Sequence, residues 1–140
     1  MSVLALASAE ELDARWRGLP PPLPPPYHVL RGPEVGLVMV RARAGGTGLR
    51  FNLGETTVTR CSVRLADGTV GHAYVGGRCP RHAERAAVLD ALLQDEARRG
   101  AMEPAVVAPL AAAQAERRRA AVARSAPTRV EFFTLVRGDD

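Results

Sequence analysis

The spacing of apolar residues switches period at Pro80, and that change constrains the fold more than any single residue. Between Tyr27 and Gly77 apolar and polar residues alternate with a period of two, as half-buried strands do. After Pro80, through Gly100, the spacing is helical. Ala83, Ala87 and the Val88/Leu92 and Leu89/Leu93 pairs mark one face, with Pro80 at the start and Gly100 at the end. Strands followed by helices predict an α+β domain: an antiparallel sheet of about four to five strands with helices packed on one face. At 140 residues the chain is one domain. It divides into an N-terminal helix (1–18), a proline-rich spacer (19–26) and an α+β body (27–140).

Local signals refine this outline. Ser8 and Glu11 have capping-box spacing, predicting a helix from about Ala9 to Arg17 that Gly18 and Pro20 stop. Six prolines in the stretch 20–26 predict a stiff polyproline spacer that holds the first helix apart. Gly32-Pro33 is expected as the turn between the first two strands, and Asp67-Gly68 as a type I′ hairpin. Alternation places Val38, Val40 and Ala42 on one face and Leu37, Met39, Arg41 and Arg43 on the other. It also separates Thr57, Thr59, Cys61, Val63 and Leu65 from Val58, Arg60, Ser62 and Arg64, so one sheet face is apolar and the other rich in arginine. One helix is expected over 80–100, an extended piece over "EPAVVAPL", a helix from Pro109 to Pro127, and a closing strand in "TRVEFFTLVRGDD".

Hydrophobic residues make up 46% of the chain but aromatics only 4%, so Ala, Val and Leu must build the core. Such a core is small per residue, and a partner is expected to complete the burial. The net charge is +4 and the basic side chains are all arginine. Two readings of this stand open: a GC-rich coding bias, or guanidinium groups suited to bidentate capture of phosphate and carboxylate. Cys61 and Cys79 match no zinc or redox spacing. The run "MSVLALA" has no basic leader and soon meets Glu10, Glu11 and Asp13, and no apolar run approaches the roughly 20 residues of a membrane span. A cytoplasmic protein without membrane contact is the expectation. Arg117, Arg118, Arg119, Arg124 and Arg129 lack interleaved aromatics and sit beside Glu116, which favours a solvated or interface face over nucleic acid.

Two stretches hold the candidate chemistry. Gly45, Gly46, Thr47 and Gly48, with Arg50 just after, look like a phosphate cradle but match neither a P-loop nor a dinucleotide fingerprint. A strand follows them, so no helix N-terminus stands behind to hold an anion. The local reading is a turn carrying Arg50 to the sheet edge. Denser is "GGRCPRHAER", with Arg78, Arg81, His82, Glu84 and Arg85 where a strand hands over to a helix. Free N–H groups and adjacent arginines there suit an anion. The competing reading makes His82 a core or interface histidine, and Arg81 with Arg85 a solvated stripe. His82 and Glu84 are two apart and point about 200° away from each other on a helix, so they form no acid–base pair within one chain. Cys61 with His72 across a hairpin is a weaker pairing than a buried structural cysteine.

The ordered blocks GGTG-x-RF, R-x-x-VRL-x-DGT, GR-x-x-x-HAER and FFT-x-VRGD, together with the N-terminal "MSVLA", strongly resemble the PhnG subunit family of the bacterial carbon–phosphorus lyase system. The proline tract at 20–26 is a departure from that pattern. The resemblance implies a subunit of a cytoplasmic assembly with PhnH, PhnI and PhnJ type proteins, with self-association inside it. It also implies a role in making α-D-ribose 1-methylphosphonate 5-triphosphate from ATP and methylphosphonate, with release of adenine. The carbon–phosphorus bond is then broken by a separate radical-SAM iron–sulfur subunit. No Cys-x-x-x-Cys-x-x-Cys run occurs in this chain, so no cofactor is expected on it. Under the resemblance the glycosyl transfer belongs to PhnI. Arg50, Arg78, Arg81 and Arg85 are then expected to touch the substrate's phosphates or acidic partner surfaces, without supplying a nucleophile.

Overall fold

Thr59, Cys61, Val63 and Leu65 alternate with Arg60, Ser62 and Arg64 along one long strand, and the fold is organised around it. The computed structural model describes residues 1–43 and 48–125. Strand β1 (Tyr27–Arg43), β2 (Arg50–Leu65) and β3 (Val70–Gly76) form one antiparallel sheet in that order, with β2 central. The four inward residues of β2 are buried, as alternation requires, together with Ala73 and Val75 of β3. Three strands are found where four to five were expected, and the closing strand predicted in 128–140 lies outside the described residues.

Part of that difference lies at Gly32-Pro33. The chain does not turn there: β1 runs 17 residues without interruption, and the dipeptide falls inside a register shift between Arg31 and Glu34. Among the described residues β1 is an edge strand, and a bulge there accommodates a proline because no neighbouring strand on that side needs the missing N–H. The Asp67-Gly68 hairpin is present with a different turn. Gly68 N donates to Leu65 O at 3.0 Å and Leu65 N to Thr69 O at 2.9 Å, with Gly68 at φ +90° and no non-glycine residue at positive φ among the described residues. This is a type I turn closed by a left-handed glycine, not type I′.

Helix α3 (Pro80–Leu92) lies across β2 and β3 and seals one sheet face with Ala83, Ala86, Ala87, Val88, Leu89, Ala91 and Leu92. Small residues let the layers approach closely. Gly71 of β3 sits so near α3 that a Cβ there would stand 2.0 Å from the Ala87 carbonyl oxygen. The helix ends at Leu92 instead of reaching Gly100; Asp95 then caps a new helix, α4 (Glu96–Met102), by accepting from Ala97 N at 3.0 Å. The stretch expected to be extended is a π-helical turn (Glu103–Val107), with Ala108 N–H bonded to Glu103 O, and it runs into α5 (Ala108–Ser125). Met102, Val106 and Leu110 are buried on one side of this run, and that burial outweighs Pro104 and Pro109.

The N-terminal segment is docked. Helix α1 (Ser2–Leu6) buries Leu4, and α2 (Ala9–Arg17) buries Leu12 behind the predicted capping box: Glu11 N donates to Ser8 Oγ at 3.2 Å and Ser8 N to Glu11 Oε2 at 3.1 Å. The proline tract is no spacer holding the helix apart. Leu19 is buried and Leu23 packs on the core, so the tract is anchored at two points and lays α2 against α3. Asp13 of α2 is ion-paired with Arg85 of α3, and that guanidinium stacks 5.5 Å from the Trp16 ring centre.

Candidate functional site

The junction from β3 to α3 is held by Thr59. This buried side chain donates to Gly77 O at 2.6 Å and accepts from Cys79 N at 2.9 Å, while Gly77 N donates to Thr57 O at 2.8 Å. Gly77 takes φ +82°, a conformation strained for any side chain, which turns the chain from strand into helix. Arg78 and Arg81 emerge exposed from this fixed corner.

The other residues of the same motif are engaged in the framework. His82 is buried, and its Nε2 donates to Leu4 O at 2.8 Å, tying α1 to α3. Glu84 accepts from the Tyr27 hydroxyl at 2.7 Å, and Arg85 is engaged by Asp13 and Trp16. His82 and Glu84 thus address different partners, as their two-residue separation predicts. Arg50 stands apart: it begins β2, seven residues of strand (about 23 Å) before Thr57 at the junction. The structure brings Arg78 and Arg81 to one corner and places Arg50 at the far end of the hairpin. Gly48 is described; Gly45, Gly46 and Thr47 lie outside the described residues.

Burial, followed by the charge of Glu84, raises the Cys61 thiol, which makes a 3.3 Å contact to Arg31 O; it remains a protonated structural cysteine. Burial first, and then the bond to Glu84, push Tyr27 up to about 12. A raised pKa means the fold favours the neutral phenol. The stability this gives is complete below the unfolded value near 10 and is lost as pH rises through about 12. In an alkaline unfolding titration, Tyr27→Phe should therefore flatten the loss of stability between pH 10 and 12. An unchanged profile would remove Tyr27 as its cause.

Sequence reading overlooked how densely the opposite sheet face is built. Register places Arg31, Ser62 and His72 side by side across the three strands, with Glu34, Arg60 and Tyr74 as the next row and His28 and Arg64 beyond. Counting outward from a two-residue Asp67-Gly68 turn pairs Ser62 with Ala73; the three-residue turn found here moves the register by one and brings His72 opposite Ser62. The Ser62 hydroxyl lies 2.9 Å from His72 Nδ1, and Arg60 is bound by Glu34 at 2.9 Å. Glu34, and then Tyr74, hold the Arg60 guanidinium more firmly charged. This face is open, with Tyr74 57% exposed.

Beyond the end of β3 the β1–β2 hairpin continues as a two-stranded arm over Arg50–Thr57 and its partners, about 26 Å long. Its apolar side chains stand in solvent, among them Leu37, Met39, Phe51 and Leu53. A helix-sealed core with an arginine-bearing corner, an open polar face and an apolar arm has the surfaces of an assembly subunit. A family model described as "Phosphonate metabolism protein PhnG" matches residues 1–138. The α-D-ribose 1-methylphosphonate 5-triphosphate synthase subunit PhnG of Rhizobium meliloti (strain 1021) is 46% identical over 140 residues, covering 100% of this chain and 88% of the relative. The chain belongs to the PhnG family of phosphonate metabolism proteins.

Proposed function

We propose that this chain is a subunit of an α-D-ribose 1-methylphosphonate 5-triphosphate synthase within a carbon–phosphorus lyase core complex, acting in organophosphonate breakdown. The observation that carries the reading is the exposed arm, an apolar surface on both strands of a hairpin that belongs to a molecule 46% identical to a synthase subunit. In this role the chain assembles in the cytoplasm with PhnH, PhnI and PhnJ type subunits. It binds no cofactor of its own, and the complex works on ATP and methylphosphonate. No helix among the described residues is long and apolar enough to cross a membrane.

Arg78 and Arg81, fixed at the corner by Thr59, and Arg50, near the arm's tip, are the arginines placed to reach phosphate oxygens or acidic partner surfaces. Gly45, Gly46, Thr47 and Gly48 are proposed to permit close approach beside Arg50. His82, Glu84 and Arg85 support that geometry from within and supply no nucleophile. The test is co-expression of the chain with PhnH, PhnI and PhnJ type subunits, followed by an assay of ribose methylphosphonate triphosphate formation on the recovered complex. Arg78→Ala with Arg81→Ala should lower synthase activity at least tenfold in fully assembled complex. Undiminished activity would remove these arginines from the site, and failure of the wild-type chain to assemble would overturn the subunit reading.

A further inference from the structure

We infer that the open sheet face carries a second anion site, built for a phosphoryl group on a small molecule and separate from the Arg78/Arg81 corner. The site is the block formed by Arg31, Ser62 and His72 in one row and Arg60 and Tyr74 in the next. These five side chains, with Leu30 and Cys61, line a depression of about 430 Å³, within the usual range for a small-ligand site. Its floor is the ladder of β2 and β3, backed by α3, and Arg31 is brought to it from β1 at a register shift.

The charge balance leans positive, although a second carboxylate, that of Asp90, accepts from His72 N at 3.1 Å at the β3 side. Two guanidiniums, from Arg31 and Arg60, share the single carboxylate of Glu34, at 4.0 Å and 2.9 Å, so one positive charge is left over. Arg64 adds another guanidinium one row away, with no ion pair among the described residues. Glu34 Oε2 gathers both guanidiniums at the Glu34–Arg60 row, next to the row of Arg31, Ser62 and His72, where hydroxyl and imidazole already lie 2.9 Å apart. A tetrahedral oxyanion with three free oxygens can take a guanidinium fork and, beside it, the one proton that the Ser62–His72 hydrogen bond leaves free with a neutral imidazole. A planar carboxylate gives both oxygens to the guanidinium fork, whereas a phosphoryl group keeps a third oxygen, out of that plane, for the Ser62–His72 pair. That difference favours a phosphoryl ligand over an acidic peptide.

Arg31 and Arg60 have side chains 49% and 44% exposed, so replacing them should leave the fold intact. The experiment titrates the full chain with inorganic tripolyphosphate at about 150 mM salt, where diffuse attraction is screened. Binding is read by calorimetry and by the ring signals of His72. Saturable binding with a localised His72 shift is expected, weakened at least tenfold in Arg31→Gln/Arg60→Gln. It should be unchanged in Arg118→Gln/Arg124→Gln, which removes equal charge from α5. Equal losses in both double variants would reduce the effect to net charge and overturn the site. So would an absence of saturation, or binding of poly-glutamate but not tripolyphosphate through the same arginines. None of these outcomes depends on whether the chain assembles with synthase subunits.

Discussion

Gly71→Ala should lower the thermal unfolding midpoint by about 10 °C, one of the largest effects expected from adding a single methyl group to this molecule. The added Cβ would stand 2.0 Å from Ala87 O, 2.6 Å from Ala91 N and 2.8 Å from Ala91 Cβ. Two of these three atoms are backbone, so no rotamer change relieves the overlap. Helix α3 must lift from β3, and the buried contacts around Ala83, Ala87, Val88 and Ala91 loosen together. Overpacking a tight core costs about 3 kcal/mol at the upper end of its usual range. That is a large share of the 5–15 kcal/mol that holds a typical domain together, and it converts to roughly that temperature shift in a chain of this size. Gly54, which has open space around its Cβ position, is the internal control: Gly54→Ala should leave the midpoint within a few degrees. Equal effects at the two positions would mean that the close α3–β3 approach is not what requires glycine.

The same contact shows what was legible in the sequence. Alternation from Thr57 to Leu65 identified the buried face, Pro80 the start of α3, and the Ser8/Glu11 pair the start of α2, because each rests on interactions within a few residues. Where tertiary packing overrides local preference, local reading failed. Gly32-Pro33 has strong turn propensity, yet it lies on an edge strand whose long pairing with β2 carries it through as a bulge. The proline tract resists helix, as expected, but the anchors Leu19 and Leu23 decide its course, and nothing local marks them as buried. Asp95 was hidden inside a periodic apolar pattern that continued past it. In the candidate site, Arg78 and Arg81 were legible as a corner. A core His82 was one of the readings the sequence left open; its partner Leu4 and the engagement of Glu84 and Arg85 were not legible, because Leu4, Tyr27 and Asp13 are remote in sequence.

The arm should decide assembly without deciding folding. Leu37, Met39, Phe51 and Leu53 are 63%, 51%, 44% and 64% exposed, and among the described residues the sheet there is two strands wide with no helix behind it. An isolated hairpin of this kind is marginal in water, and its β1 edge, unpaired among the described residues, invites pairing. In an assembled complex the same side chains would each contribute roughly 1.5–3 kcal/mol on full burial. Leu37→Asp combined with Leu53→Asp removes two of them and forces two carboxylates against whatever covers the arm. Recovery of the chain with co-expressed synthase subunits should then fall at least a hundredfold. The unfolding midpoint of the isolated chain should move little, because neither side chain contacts the α3 core. Full recovery of the complex with the doubly substituted arm would show that assembly uses another surface. A collapse of the midpoint in the isolated chain would show instead that the arm is part of the folding unit. The predicted combination, lost assembly with retained stability, separates the two roles on one pair of residues.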